Sequence, residues 1–224
     1  KWTSFVKSKY FPTLLQNIQI IGYDEFKKNV FHDERKTEQI INSLLDGDAI
    51  ILKGAINKID VLNLKNRVKN WGKDTPEEDY EEYTPVPNFH TKFSQKRMQV
   101  EKNKDRYDEI AHSYFFYRWN KDDLNIFDTI DDVWSTIKVL NGIPESLKTN
   151  LPQDLIVDRV QLLRYPLNFG EISLHCDYPG IQATNAALSM SKRGEEYQSR
   201  GFYSLSKKFN EELGIELPFI SENG

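Results

Sequence analysis

The chain has 224 residues, 38% apolar and 29% charged, the balance of a soluble globular protein long enough for a continuous core. A net charge of -4 and a pI near 5.7 exclude a broad phosphate-binding surface, no apolar run approaches the ~20 residues of a membrane span, and no signal peptide is visible. The single cysteine excludes an intrachain disulfide and a cysteine-only zinc site, so a cytoplasmic protein without nucleic-acid or membrane partners is expected.

Residues 1–36 mix aromatic and basic residues around Pro12 and show no clean period. Glu38 to Leu45 reads as a helix stopped by Asp46, Gly47 and Asp48, and Ala49 to Lys53 as a short apolar strand. Residues 58–71 are predicted helical, because Val61, Leu64, Val68 and Trp71 recur three or four apart on one face. The stretch from Lys73 to Pro87, with three prolines and an acidic run at 77–82, reads as a solvated loop. Residues 88–123 read as polar around an aromatic knot, Tyr114 to Trp119. A second helix is expected over 125–140, where Ile126, Ile130, Val133, Ile137 and Leu140 form an apolar stripe.

From Leu155 onward the pattern changes to strands. Leu155 to Tyr165 and Glu171 to Asp177 are expected first, then Thr184 to Ser191 and Gly201 to Leu205, with the polar segment 192–200 as a turn. Helices followed by strands indicate an α+β fold. The expected organisation is one domain over 1–224, with a helical N-terminal part (1–150) packed outside a sheet or barrel part (151–224). The chain starts at Lys1 and stops at Gly224 without a closing element, and reads as a segment of a longer one.

The most informative stretch runs from Tyr165 through Pro166 and Gly170 into His175, Cys176 and Asp177. Side chains alternate along a strand, so His175 and Asp177 share a face and Cys176 points the other way. An imidazole beside a carboxylate, completed by a second histidine, is the facial triad that holds non-haem Fe(II) with open coordination positions. A hydrogen-bonded His–Asp pair on a surface strand has the same spacing.

With Arg164, Tyr165, Pro166, Gly170, His175 and Asp177, the later strand Gly201–Leu205, and the helix–strand–helix unit around Gly47–Gly54, the chain resembles the Fe(II)/2-oxoglutarate-dependent dioxygenases. The likeness is to the phytanoyl-CoA hydroxylase-like and prolyl-hydroxylase-like branches and covers about half of the chain, with the His-x-Asp strand as its specific part. The resemblance implies a double-stranded β-helix, a cupin-like jelly-roll barrel, buttressed by N-terminal helices. It implies an enzyme in which His175 and Asp177 are catalytic Fe(II) ligands. 2-Oxoglutarate and O2 would serve as co-substrates, a small molecule would be hydroxylated at a C–H bond, and succinate and CO2 would be released. A carboxylate at 177 favours hydroxylation over halogenation, and desaturation or ring closure stays open.

The same resemblance calls for a third ligand, a histidine some tens of residues later followed by a basic residue. The histidines are His32, His90, His112 and His175, so none follows Asp177, and the expectation is that this strand lies past Gly224. The alternative is a non-catalytic cupin-like barrel that binds a ligand or a protein. Arg159, Gln161 and Tyr165 share a strand face by the period-two rule and are candidates to contact 2-oxoglutarate, Tyr165 being equally readable as a barrel-wall tyrosine. Lys192 is a further candidate for the co-substrate carboxylate, or a solvated turn lysine. His90 and His112 read as structural or substrate-contacting, the aromatic knot as core or pocket wall, and Arg118 as a candidate anion contact.

Overall fold

The computed structural model describes residues 15–80, 85–98, 106–143, 157–168, 170–172, 186–198, 201–205 and 212–214. The fold is α+β. Among the described residues there are four helices and eight strands, and no helix is long and apolar enough to cross a membrane. The chain divides into two compact units interleaved in sequence, one of residues 1–62, 130–146 and 177–224, the other of 63–129 and 147–176.

In the first unit, β1 (Ile18–Gly22) and β2 (Ala49–Lys53) pair in parallel. Parallel strands need a crossover, here α1 (Tyr23–His32) and α2 (Glu34–Leu45). Asp33 ends one helix and caps the next, its carboxylate accepting from the Lys36 N–H at 2.9 Å. Gly47 closes α2 at φ 98°, with the Asp48 N–H donating to the Ser43 carbonyl at 3.0 Å; this left-handed position is the one glycine takes without strain. The core gathers Tyr23, Phe26 and Val30 of α1 with Ile137 and Leu140 of α4 (Ile126–Leu140), flanked by Ile21, Ile41, Ile50 and Leu52. The Tyr23 hydroxyl donates to the Asp132 carbonyl at 2.7 Å, and Lys27 pairs with the Asp132 carboxylate. Burial is the main cause that pushes the Tyr23 phenol above its ordinary range.

Asp48 collects hydrogen bonds from Asn17 (3.0 Å), Gln19 (2.9 Å) and Ser43 (2.7 Å). Burial alone would raise its pKa, but these donors, Ser43 first, together hold it below the usual carboxylate range. The network joins the start of β1 to the turn before β2, which fixes the parallel register.

The second unit is built on an antiparallel sheet. Its central strand β4 (Arg106–Tyr117) pairs along one edge with β3 (Phe89–Met98), in register from Phe89–Phe115 to Met98–Arg106. On its other edge β4 pairs with β5 (Arg159–Arg164) and then with β6 (Glu171–Ile172). Both β3 and β4 fall within 88–123, where the sequence reading placed no strand. One sheet face carries Phe89, Phe115 and Tyr117, with Phe89 and Phe115 stacked at 4.7 Å and Val86, Tyr80, Trp119 and Val157 packed around them. The aromatic knot is core.

α3 (Lys58–Asp74) opens on Asn57, whose side-chain oxygen accepts from the Ile59 N–H at 2.8 Å. Asp122 accepts from the N–H groups of Ile126 and Phe127 at 2.8 and 2.7 Å and starts α4. Near the C-terminus, β7 (Tyr203–Leu205) pairs with β8 (Glu212–Gly214). The strand expected at Thr184–Ser191 does not form over residues 186–191, which are described and irregular. Two alanines in this stretch bring little of the side-chain packing on which strand preference rests.

Candidate functional site

β5 and β6 follow one edge of β4 in the same direction, with a loop between them. Arg164 pairs with His112 and Glu171 with Ile110, so six residues (165–170) occupy a step that β4 covers with Ala111 alone. The extra length is looped out. Tyr165 lies just past the end of β5 and is 48% exposed, and Leu167 is 82% exposed. Asn168 takes a left-handed φ of 70°, and the Gly170 N–H closes the loop on the Pro166 carbonyl at 3.0 Å. A Cβ at position 170 would stand 2.5 Å from Tyr165 Cβ and 2.7 Å from the Pro166 nitrogen. Only glycine fits. The chain then passes through β6 toward His175 and Asp177, which lie outside the described residues, as does Cys176.

Arg159 and Gln161 share a face of β5, as alternation predicts. Arg159 Nη2 donates to Gln161 Oε1 at 3.3 Å, Gln161 Nε2 donates to Ser113 Oγ at 3.4 Å, and the guanidinium lies 5.4 Å from the Phe115 ring centre. Strand alternation does not extend to Tyr165, because β5 ends at Arg164. Lys192 sits in a tight turn closed by a bridge between Arg193 and Tyr197 and pairs with Glu195 at 2.7 Å. Arg118, the candidate anion contact, is committed to a buried ion pair: its Nε lies 2.6 Å from Asp158 Oδ2, with side chains only 9% and 1% exposed, and its guanidinium stacks 4.1 Å from Phe127.

The other face of this sheet holds a polar cluster. His90 and His112 lie on diagonal positions of β3 and β4, beside Tyr114 and Lys92. His90 Nε2 is 2.9 Å from the Thr75 carbonyl, His112 Nε2 is 2.9 Å from His90 Nδ1, and the Tyr114 hydroxyl is 3.1 Å from His112 Nδ1. A carbonyl only accepts, so His90 donates through Nε2, and with a single proton on the ring its Nδ1 accepts. His112 therefore donates through Nε2, and Tyr114 donates to His112 Nδ1. In this arrangement each imidazole carries its proton on Nε2. The order of the chain is Tyr114 to His112 to His90 to Thr75.

Burial first, then the neighbouring His90 and Lys92, push His112 down to about 4, which agrees with a neutral His112 ring. The chain ends on a peptide carbonyl, which cannot pass a proton onward, so it is a lock and not a proton wire. Trp71 of α3 stands edge-on to His90 at 5.4 Å and tilts against Phe116 at 5.0 Å. The readable signal was His112-x-Tyr114, whose period of two puts both on one strand face. It was obscured because this stretch did not read as a strand.

Among the described residues, no group of three or more His, Cys, Asp or Glu side chains could hold a metal ion. No protein-family model, curated protein or solved structure matches the chain.

Proposed function

We propose that the chain is part of an Fe(II)- and 2-oxoglutarate-dependent oxygenase that hydroxylates a C–H bond of a small molecule in the cytoplasm. The barrel of the proposal is a double-stranded β-helix, to which the antiparallel sheet β3–β4–β5 with β6 would belong. The observation that carries the reading is the edge element formed by β5, the loop closed by Gly170, and β6. It anchors to the buried central strand the chain that enters His175-x-Asp177.

The donor chemistry of His175 and Asp177, one imidazole and one carboxylate, suits non-haem iron. These two would hold the metal together with a second histidine, and Fe(II) with 2-oxoglutarate would supply oxidative decarboxylation coupled to C–H hydroxylation. The co-substrate candidates fit less well. Gln161 and Arg159 hydrogen bond to each other and Lys192 pairs with Glu195, so no step is assigned to them. What supports the reading in this chain is the approach to the pair: Gly170 allows the tight loop, and pairing with β4 sets the direction of β6.

The test is succinate formation by the full-length protein with Fe(II), 2-oxoglutarate and O2, including the slow uncoupled turnover without substrate. Succinate that requires iron and falls to background in His175→Ala and Asp177→Ala supports the reading. Equal succinate in both variants would refute His175 and Asp177 as the ligands, and none from a folded, iron-loaded protein given candidate small molecules points instead to a non-catalytic barrel.

A further inference from the structure

The segment after α3 is tied across β3 chiefly through one residue. The Thr75 carbonyl accepts from the His90 ring, and the Glu78 N–H donates to the His90 carbonyl at 3.0 Å. Beside them Glu77 pairs with Lys92, and Tyr80 meets the Phe89 ring edge-on at 5.2 Å. Residues 76–79 are exposed, so Tyr80 is the one apolar anchor of this strap. His90, 1% exposed, is held in its tautomer by His112, which is held in turn by Tyr114.

We propose that residues 75–80 form an acid-released strap, latched over β3 by the neutral Tyr114–His112–His90–Thr75 chain and freed when that chain takes up a proton. The chain has no place for a further proton without reversing a bond. A proton on His112 Nδ1 meets the Tyr114 hydroxyl proton, and one on His90 Nδ1 meets the His112 Nε2 proton. The new charge would face His90 and Lys92 on β3, Tyr114 on β4 and Arg164 on β5, with Glu77 as the nearby carboxylate. One anion against two fixed cations does not offset the burial. The least costly relief is local opening of the strap, which withdraws Tyr80 and leaves the Phe89–Phe115 stack with Val86, Trp119 and Val157 in place.

Acid is the releasing condition by sign. A histidine held below its ordinary pKa favours the closed form at neutral pH and loses that preference as pH falls from its unfolded value toward about 4. The experiment pairs imidazole 15N–1H correlation spectra with hydrogen exchange of residues 75–80 between pH 7.5 and 4.5, corrected for intrinsic rates. Expected are protons on Nε2 of both rings at pH 7.5 and a His112 midpoint at least one unit below 6.5. Opening of 75–80 should rise roughly tenfold between pH 7 and 5, with β3 and β4 still protected. Tyr114→Phe, which removes the donor to Nδ1, should move the His112 midpoint upward, and His112→Gln should flatten the pH dependence. A His112 midpoint near 6.5, opening of 75–80 that ignores pH, opening unmoved by Tyr114→Phe, or simultaneous loss of β3 and β4 would overturn the proposal.

Discussion

Replacing Gly72 by alanine sets two effects of opposite sign against each other. Gly72 lies within α3, where alanine in place of glycine stabilises a helix by at most about 1 kcal/mol. Its Cβ, however, would stand 2.5 Å from Tyr114 Cε1 and 3.4 Å from Cδ1 and Cζ, where carbon atoms prefer about 3.5–4.0 Å. The ring has little room to retreat, being 4% exposed and stacked on His112 at 4.3 Å. Overpacking of this kind costs about 1–3 kcal/mol, and pulling the hydroxyl from His112 Nδ1 adds about 1 kcal/mol. The expected net is a loss of about 1–3 kcal/mol, read as a lower urea midpoint at unchanged slope. In a Tyr114→Leu background the obstacle is gone, and Gly72→Ala should gain up to about 1 kcal/mol. A wild-type background in which Gly72→Ala stabilises would refute the packing described around Tyr114.

Other substitutions test other parts of the fold. Asp158→Ala leaves the Arg118 guanidinium buried beside Phe127 without its carboxylate, and should cost about 3–5 kcal/mol in denaturant titrations. Asp122→Ala removes acceptors from two N–H groups at the start of α4 and should cost about 1 kcal/mol. The depressed His112 implies that stability is full above pH 6.5 and falls as pH drops toward 4. On the order of 1–2 kcal/mol should be lost by pH 5, after discounting for partial exposure, and this increment should vanish in His112→Gln melts. Gly170→Ala forces the 165–170 loop apart and, on the proposed function, should weaken Fe(II) binding in a metal titration while the protein stays folded by circular dichroism.

What the sequence made legible follows from how strongly each segment is patterned. β2 sits where it was expected, and α2 stops at Asp46–Gly47 because a left-handed glycine ends it. α3 and α4 carry apolar residues at helical spacing, and their predicted spans lie within three residues of those observed. β1 and α1 were missed, since the helix starts at Gly22 with no side-chain cap to announce it. β3 and β4 were missed for a different reason: one of their faces buries His90 and Tyr114 beside His112, so polar residues stand where an alternation rule looks for apolar ones. The His-x-Asp pair was legible only as spacing and resemblance. The described structure reaches Ile172, three residues short of His175.

The central claim concerns Fe(II) and 2-oxoglutarate at His175 and Asp177, and one titration addresses it directly. The full-length protein is titrated anaerobically with both and followed by visible absorbance, alongside His175→Ala and Asp177→Ala. A weak charge-transfer band that needs both additions and disappears in each variant is the expected result. A folded protein that gives no such band, or a band unchanged in the variants, would contradict it.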